Sequence, residues 1–188
     1  ADYGGQRSND LSVESWGSLF ADCVGRADEV AHGLGREIGA ELAHLKVNWP
    51  RVLPSGVIHA DLFPDNVFFR GNSLSGIIDF YFACNDSFAY ELAICLNAWC
   101  FEDDGSFNIT KAKLMLNAYR SVRPFSCAEV ASLPLLARGA AMRFLLTRLQ
   151  DWLNQVDGAL VQPKNPLEYL ARLHFHRGVA GPEAYGLA

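Results

Sequence analysis

The sequence predicts an α+β fold that is mainly helical and carries one small β element. Over most of the chain, apolar residues recur at intervals of three and four, as on the buried faces of amphipathic helices. Only three short runs, at residues 57–58, 67–69 and 76–78, are β-branched or aromatic in the manner of buried strands. Half of the 188 residues are hydrophobic and a fifth are charged, so the core of a single domain is expected.

The chain before the first strand is expected to form two helices. Residues up to about Asp10 are polar and glycine-rich and form a lead-in. The apolar pattern from Val13 to Val30 predicts a first helix, which Asp10 or Ser12 caps and which ends near Gly33. A second helix is expected over about 36–48, and the two prolines that follow lead the chain into the first strand.

The three short strands are expected to be joined by one polar loop and one tight turn. The turn is 70–73, Arg-Gly-Asn-Ser, which is typical of a hairpin between the second and third strands. The polar loop carries His59, Asp61 and Asn66, and Asp79 stands at the end of the third strand. Because the hairpin folds the chain back, we expect Asn66 and Asp79 to lie close together.

The rest of the chain is expected to be helical after a loop over 80–87. Ser87 is predicted to cap the next helix, and Asn108 the one after it. The pattern Ser126-Cys127-Ala128-Glu129 is a capping box that begins a further helix, which Pro134 is expected to kink or restart. The predicted helices are 88–100, 108–120, 126–134, 135–155 and 167–176, the last closed by Gly178.

The polar residues of the β element have the order and spacing of a kinase catalytic loop. His-x-Asp, an Asn five positions after the Asp, a hairpin and then Asp-Phe describe residues 59–80. In phosphoryl transfer a carboxylate faces the acceptor hydroxyl, and Asp61 has that position. Mg²⁺ takes oxygen ligands and keeps several waters, which suits Asn66 and Asp79. His59 is predicted to brace the loop by hydrogen bonds, next to catalytic Asp61.

Each of these residues alone is common in loops, and the ordered set is what indicates a kinase. The run His59-Ala60-Asp61-Leu62-Phe63-Pro64-Asp65-Asn66 is similar to the aminoglycoside phosphotransferase and choline kinase-like group, in which Ala60 replaces the Arg of protein kinases. Over residues 56–69, 78–86, 96–101, 121–124, 143–149, 151–152 and 166–170 the chain resembles the homoserine kinases of that group.

This resemblance implies a protein-kinase-like C-terminal lobe that uses ATP and Mg²⁺. The implied acceptor is L-homoserine, which becomes O-phospho-L-homoserine in threonine biosynthesis in the cytoplasm. An aminoglycoside, choline or a sugar is the alternative acceptor, and an inactive orphan lobe is the non-enzymatic alternative. The resembled group carries a carboxylate, usually Asp, at position 91, so Glu91 is a mild departure whose role stays open.

The acceptor needs a partner for its carboxylate, and arginine is the natural bidentate one. Arg143 and Arg148 are the candidates, with Tyr81 in the loop after Asp79 as a third substrate-binding candidate. Arg138, Arg143 and Arg148 are five residues apart, which is about 140° beyond full helical turns, so the three cannot all face one pocket.

The whole chain, residues 1–188, is predicted to be a single catalytic and acceptor-binding lobe. Before His59 the sequence has no glycine-rich loop between strands and no strand lysine, both of which a kinase needs in its nucleotide lobe. That lobe is therefore expected to be absent, through truncation or because another chain supplies it. The face that it would cover, near Val57 and at 80–82, is apolar, so self-association and very low activity are expected of the lobe alone.

Charge and composition exclude several other classes. The formal net charge is −5 without a basic run, which argues against partners such as nucleic acid or an anionic membrane surface. No uncharged apolar stretch reaches about 18 residues, so no membrane span is expected. The N-terminus lacks a signal-peptide pattern. The five cysteines are odd in number and without a Cys-x-x-Cys, which suits a reducing cytoplasm better than a disulfide or zinc framework.

Overall fold

The computed structural model describes residues 4–155 and 162–187, and its mainly helical α+β architecture confirms the predicted fold class. Six α-helices and four short strands occur within these residues. In chain order they are α1 (Trp16–Cys23), α2 (Leu34–Asn48), β1 (Ser55–Ile58), β2 (Val67–Arg70), β3 (Ser73–Ile77), β4 (Cys84–Ser87), α3 (Phe88–Trp99), α4 (Ile109–Val122), α5 (Cys127–Leu153) and α6 (Leu167–Arg177).

Helix α5 is the centre of the core and packs against α1, α2, α3 and α6. Residues 139–146 of α5 are all buried, because helices cover it on several sides. Gly139 lies against the indole rings of Trp49 and Trp16, where a larger side chain has no room. Each fully buried leucine of this core, such as Leu145, contributes about 1.5–3 kcal/mol relative to an exposed one.

Length and composition would also allow α5 to cross a membrane. However, 61% of its most apolar 18-residue window is buried inside the fold. It packs as the central helix of a globular core. Such a core helix can be as long and as apolar as a membrane-spanning helix.

Helix α5 begins at the predicted capping box and continues through Pro134. The Ser126 hydroxyl accepts the N–H of Glu129, and the Glu129 carboxylate accepts the N–H of Ser126, which confirms the box. The predicted restart at Pro134 is wrong, because the helix runs unbroken to Leu153. An interior proline costs about 3 kcal/mol, and burial of Leu133 and Leu136 beside it offsets this cost.

The first helix is shorter than its apolar pattern predicted. Helix α1 ends at Cys23, and a single 3₁₀ turn follows at Ala27–Glu29. The prediction of one helix through Val30 is therefore wrong, and Gly25, which costs about 1 kcal/mol relative to alanine inside a helix, lies at the break. The second predicted helix is confirmed as α2.

The four strands form two separate antiparallel pairs. Strands β2 and β3 make the predicted hairpin, and Gly71 in its turn has the positive φ of 60° that glycine tolerates best. Strand β4 was predicted to be loop, and this is a correction. It pairs with β1 so that Ser55 faces Ser87 and Ile58 faces Cys84.

The helices after β4 begin close to the predicted positions. Asn108 caps α4 by accepting the N–H of Lys111 at 2.9 Å, as expected. Ser87 stands at the N-cap of α3, as predicted. Its hydroxyl makes no hydrogen bond to the backbone of the first turn, so the predicted side-chain cap is wrong. Helix α6 ends next to Gly178, as predicted.

Candidate active site

Most of the polar residues that the sequence singled out meet in one cavity of about 360 Å³, the catalytic cavity. Its lining includes Asp61, Asn66 and Asp79 from the β element, and Arg143, Arg148 and Asp151 from α5. His59 and Tyr81 do not belong to this lining. Tyr81 is 71% exposed, and its ring packs edge-on against Phe82, so the structure does not bring this substrate-binding candidate to the cavity.

The catalytic loop turns on Ala60, which has a left-handed backbone with φ of 62°. Its N–H donates to Oε2 of Glu91 at 2.9 Å, and its carbonyl accepts from Nη1 of Arg143. A half-buried carboxylate and a buried guanidinium therefore bind the two polar backbone groups of one buried residue. We call Glu91, Ala60 and Arg143 the Ala60 clamp. Because alanine rarely adopts positive φ, the clamp supports a conformation that costs about 1–2 kcal/mol.

Glu91 is the functional residue whose role the sequence left open. It lies in α3 beside buried apolar residues and is itself half-buried, with its Oε1 atom out of contact with solvent. Burial raises the pKa of its carboxyl, while the N–H groups of Ala60 and His59 oppose that rise. Its Oε1 atom has no hydrogen-bond partner among the described residues. The signal available in the sequence was that Glu91 is the single charged residue of α3.

His59 joins the catalytic loop to the strand end that carries Asp79. Its Nε2 lies 2.9 Å from the carbonyl oxygen of Ile78, and its Nδ1 lies 3.3 Å from the backbone nitrogen of Asp61. Because a carbonyl only accepts, Nε2 carries the proton and Nδ1 accepts from Asp61. The ring also packs on Phe80, with centroids 4.8 Å apart. These are the bracing contacts expected of His59.

Asp61 occupies a mostly enclosed position over Arg143. Its Oδ1 lies 3.9 Å from Nη2 of Arg143, and its side chain is 19% exposed. Burial raises the pKa of Asp61, the Arg143 guanidinium opposes this, and the charge of Asp79 adds to the rise. A carboxylate whose pKa is raised toward the working pH is a better proton acceptor than an ordinary aspartate.

Asn66 and Asp79 carry oxygen atoms of the kind that Mg²⁺ takes as ligands. The Asn66 amide nitrogen donates to the Asp61 carbonyl at 2.9 Å, which leaves the amide oxygen for a cation. The backbone N–H of Ile78 donates to the carbonyl of Asn66 at 3.0 Å, so the two strand ends are tied together. Asp79 has a left-handed backbone, with φ of 63°.

Asn66 and Asp79 would suit Mg²⁺ better than a metal ion that is held wholly by protein side chains. Among residues 4–155 and 162–187 no three His, Cys, Asp or Glu side chains are close enough to hold an ion together. One carboxylate and one amide oxygen suit magnesium, which keeps waters and binds substrate phosphates, and do not suit zinc or a calcium cage.

The three arginines of α5 have different surroundings. Their spacing predicted this, because residues five apart point in different directions around a helix. Arg138 makes a bidentate pair with Glu41, at 2.6 and 2.8 Å. Arg143 is 2% exposed, and its guanidinium lies 4.4 Å from the ring centroid of Phe144. Arg148 donates to Glu168 at 2.7 Å and lines the catalytic cavity. Arg143 is thus committed to the loop, and Arg148 borders the space where an acceptor would lie.

A sequence model described as the phosphotransferase enzyme family matches residues 11–125 of the chain. The chain belongs to the phosphotransferase enzyme family. The match contains Asp61, Asn66, Asp79 and Glu91, so the catalytic loop lies within the part that defines the family. Arg143 and Arg148 lie after the matched residues.

Several proteins that are similar to this chain are named homoserine kinases. Those of Parvibaculum lavamentivorans and Xanthobacter autotrophicus are 65% and 62% identical to it over 187 and 188 residues. That of Rhodospirillum rubrum is 62% identical over 187 residues. Each match covers 100% of the chain but only 58–59% of the relative. The chain therefore spans somewhat more than half the length of the relatives it matches.

A larger cavity, of about 810 Å³, lies beside the catalytic loop and holds none of its polar motif residues. Apolar side chains such as Trp99, Phe101 and Met115 form much of its wall. The indole of Trp99 donates to the carbonyl of Leu62 at 2.7 Å, which makes this wall a support of the loop. Size alone therefore does not identify the site of chemistry in this phosphotransferase.

Proposed function

We propose that the intact protein is a homoserine kinase, which transfers the γ-phosphoryl group of ATP to the hydroxyl of L-homoserine in the cytoplasm. The product, O-phospho-L-homoserine, would serve threonine biosynthesis. The observation that carries the proposal is the convergence of Asp61, Asn66 and Asp79 in the catalytic cavity. The names of the relatives at 61–65% identity support the choice of acceptor.

In the proposed mechanism Asp61 accepts a hydrogen bond from the acceptor hydroxyl, orients it and takes its proton. Its raised pKa suits this exchange, and the positive charge of Arg143 keeps enough of it ionised. Asn66 and Asp79 would hold Mg²⁺, which when bound neutralises charge on the ATP phosphates. The Ala60 clamp and His59 hold the loop in the conformation that points Asp61 at the cavity.

The charges of the cavity favour a zwitterionic acceptor. Four carboxylates line it, and so do three cationic side chains, Arg143, Arg148 and Lys164. Choline and aminoglycosides are cations, and a wall with this mixture would bind them less well than a purely acidic one. A neutral sugar would leave Arg148 without a ligand. For the acceptor carboxylate we assign Arg148 over Arg143, because Arg143 is bound to Ala60.

We propose that residues beyond those described, or residues of another chain, bind the β- and γ-phosphates of ATP. The exposed side chains of the β2–β3 hairpin and the turn after it, including Phe69, Leu74, Phe80 and Tyr81, are between 58% and 71% exposed. Such an apolar face favours contact with a further lobe or with a second copy of the chain. Self-association of the lobe by itself is proposed on the same ground.

The test is a pair of substitutions in the intact protein, assayed by coupled ATP turnover with L-homoserine. Asp61→Asn is expected to lower kcat by about 10²–10⁴-fold with little change in the KM for ATP, because only the proton acceptor is lost. Asp79→Ala is expected to weaken magnesium-dependent ATP binding as well. Asp22→Asn, on α1, is the control. Near wild-type turnover of the Asp61→Asn variant would overturn the mechanism.

A further inference from the structure

Helix α5 presents a continuous face to the catalytic cavity, formed by Arg143, Thr147, Arg148 and Asp151. Residues 143, 147 and 151 are four apart and therefore lie along one side of the helix. From Arg143 to Asp151 the helix rises about 12 Å. The cavity thus has the catalytic Asp61 beside the first of these residues and a second carboxylate two turns farther along α5.

The Arg148 side chain is fixed by its contacts in an orientation that leaves N–H donors for an anion. Its Nη1 donates to Glu168 at 2.7 Å and to the carbonyl of Asn165 at 3.3 Å, and its guanidinium lies 4.5 Å from the ring centroid of Tyr169. The side chain is only 11% exposed, so it has little freedom left to lose on binding. Since a guanidinium has five N–H donors, others remain for a carboxylate in the cavity.

Asp151 lies one turn beyond Arg148 and makes no ion pair among the described residues. The residue as a whole is exposed, and partial desolvation where it lines the cavity raises the pKa of its carboxyl. A carboxylate that lines the cavity without an ion-pair partner among the described residues gains from binding a cation. An ammonium group of the ligand would supply that cation by a charge-assisted hydrogen bond.

The spacing suits a short hydroxy amino acid. In an extended homoserine the hydroxyl oxygen and the ammonium nitrogen are about 5 Å apart, from ordinary bond lengths. With hydrogen bonds of about 2.8 Å at each end, the molecule would join two carboxylates about 10 Å apart. Arg143, whose Nη2 lies 3.9 Å from Oδ1 of Asp61, and Asp151 are separated by a helical rise of about 12 Å, a length of the same order.

We propose that Asp151 binds the α-ammonium group of the acceptor, while Arg148 binds its α-carboxylate and Asp61 receives its hydroxyl. Asp151 is thereby a specificity-determining residue, which selects α-amino acids with a side-chain hydroxyl over simple hydroxy acids. The assignment of Asp151 rests on the proposed function, because it takes a zwitterionic acceptor as its ligand.

The experiment uses the intact protein and two fragments of the acceptor as competitive inhibitors of homoserine phosphorylation. 3-Aminopropan-1-ol keeps the ammonium, and 4-hydroxybutanoate keeps the carboxylate. Asp151→Asn is expected to raise the KM for homoserine and the Ki of 3-aminopropan-1-ol about 10–100-fold, the effect of a hydrogen bond to a charged group. The Ki of 4-hydroxybutanoate is expected to stay within about twofold. Arg148→Met should give the reverse pattern, and Asp151→Glu should recover part of the loss.

The outcomes separate this inference from the proposed function. If the wild-type protein phosphorylates homoserine and Asp151→Asn leaves its KM unchanged, or weakens both fragments equally, the role of Asp151 is wrong and the kinase proposal stands. If the wild-type protein neither binds homoserine in calorimetry nor phosphorylates it, both are wrong. The KM for ATP and the melting temperature of each variant report any general damage to the fold.

Discussion

Replacing Arg143 by methionine tests whether the Ala60 clamp holds the conformation of the catalytic loop and lowers the pKa of Asp61, the proposed proton acceptor. Methionine keeps much of the side-chain volume of Arg143 in the core but removes its charge and its donors. The carbonyl of Ala60 then loses a buried hydrogen bond, and Glu91 on the other side of the same residue keeps a buried negative charge without its nearby cation. The perturbation therefore acts on the conformation of the catalytic loop and on the charge around Asp61.

The expected loss of stability is about 3–5 kcal/mol, the cost of removing one partner from a buried charge pair. An unsatisfied Ala60 carbonyl accounts for about 1–3 kcal/mol of this. The contacts of the guanidinium with the rings of Phe144 and Phe82, at 4.4 and 5.3 Å, account for about 0.5–2 kcal/mol each. Adding Glu91→Gln removes the unbalanced charge, so the double variant should lose less than the sum of the two single variants.

Two measurements on the intact protein decide this prediction. Urea unfolding of the two single variants and the double variant gives the coupling free energy, expected at about 1–3 kcal/mol. The pH dependence of kcat gives the effect on Asp61. Because Arg143 lowers the pKa of Asp61, its removal should shift the acid limb of the profile to higher pH.

Arg138→Met is the matched control, since it breaks the Arg138–Glu41 pair on the same helix outside the catalytic cavity. It should lower stability and leave the pH profile of kcat in place. Strict additivity of the Arg143 and Glu91 variants, or an acid limb that moves to lower pH, would refute the reasoning about the clamp.

Two further predictions concern the core. Gly139→Ala should lower the melting temperature, at a cost of about 1–3 kcal/mol, because the added methyl would overlap the ring of Trp49, although alanine favours a helix by about 1 kcal/mol. A higher melting temperature would contradict it. Burial lowers the pKa of His176 to about 3, below the ordinary value of 6.5 in the unfolded chain. Between these pH values the unfolded chain binds more protons, so stability should fall as pH decreases from 6.5, and His176→Gln should flatten that slope in urea titrations.

The sequence predicted the helical framework well because its signals are local. The capping box before α5 and the Asn108 cap of α4 each depend on residues three positions apart. Strand β4 has no such signal, since Cys84–Ser87 is short and polar and becomes a strand only by pairing with β1. The continuation of α5 through Pro134 likewise depends on tertiary packing, which a local rule for proline does not contain.

The grouping of the proposed catalytic residues in one cavity was predictable for a related reason, and the contacts that support the loop were not. Asp61, Asn66 and Asp79 stand within 18 residues of one another in a recognisable order. The Ala60 clamp joins residues 31 and 83 positions from Ala60 in sequence. An alanine gives no sign that it will adopt a positive φ, and an arginine on a long helix gives no sign of which loop it will reach. These contacts exist only once α3 and α5 are packed together.

The separation of the four strands into two pairs gives the catalytic groups unequal mechanical support. Strands β1 and β4 both contact α3, so the segment leading to Asp61 is anchored to the core. The β2–β3 hairpin contacts mainly itself and exposes most of its residues, while Asn66 and Asp79 stand at its two ends. Distortion or ordering of the hairpin would change the distance between Asn66 and Asp79, the two proposed metal ligands, without disturbing Asp61, the proposed proton acceptor. A molecule or segment resting on that hairpin could therefore tune magnesium affinity separately from proton transfer.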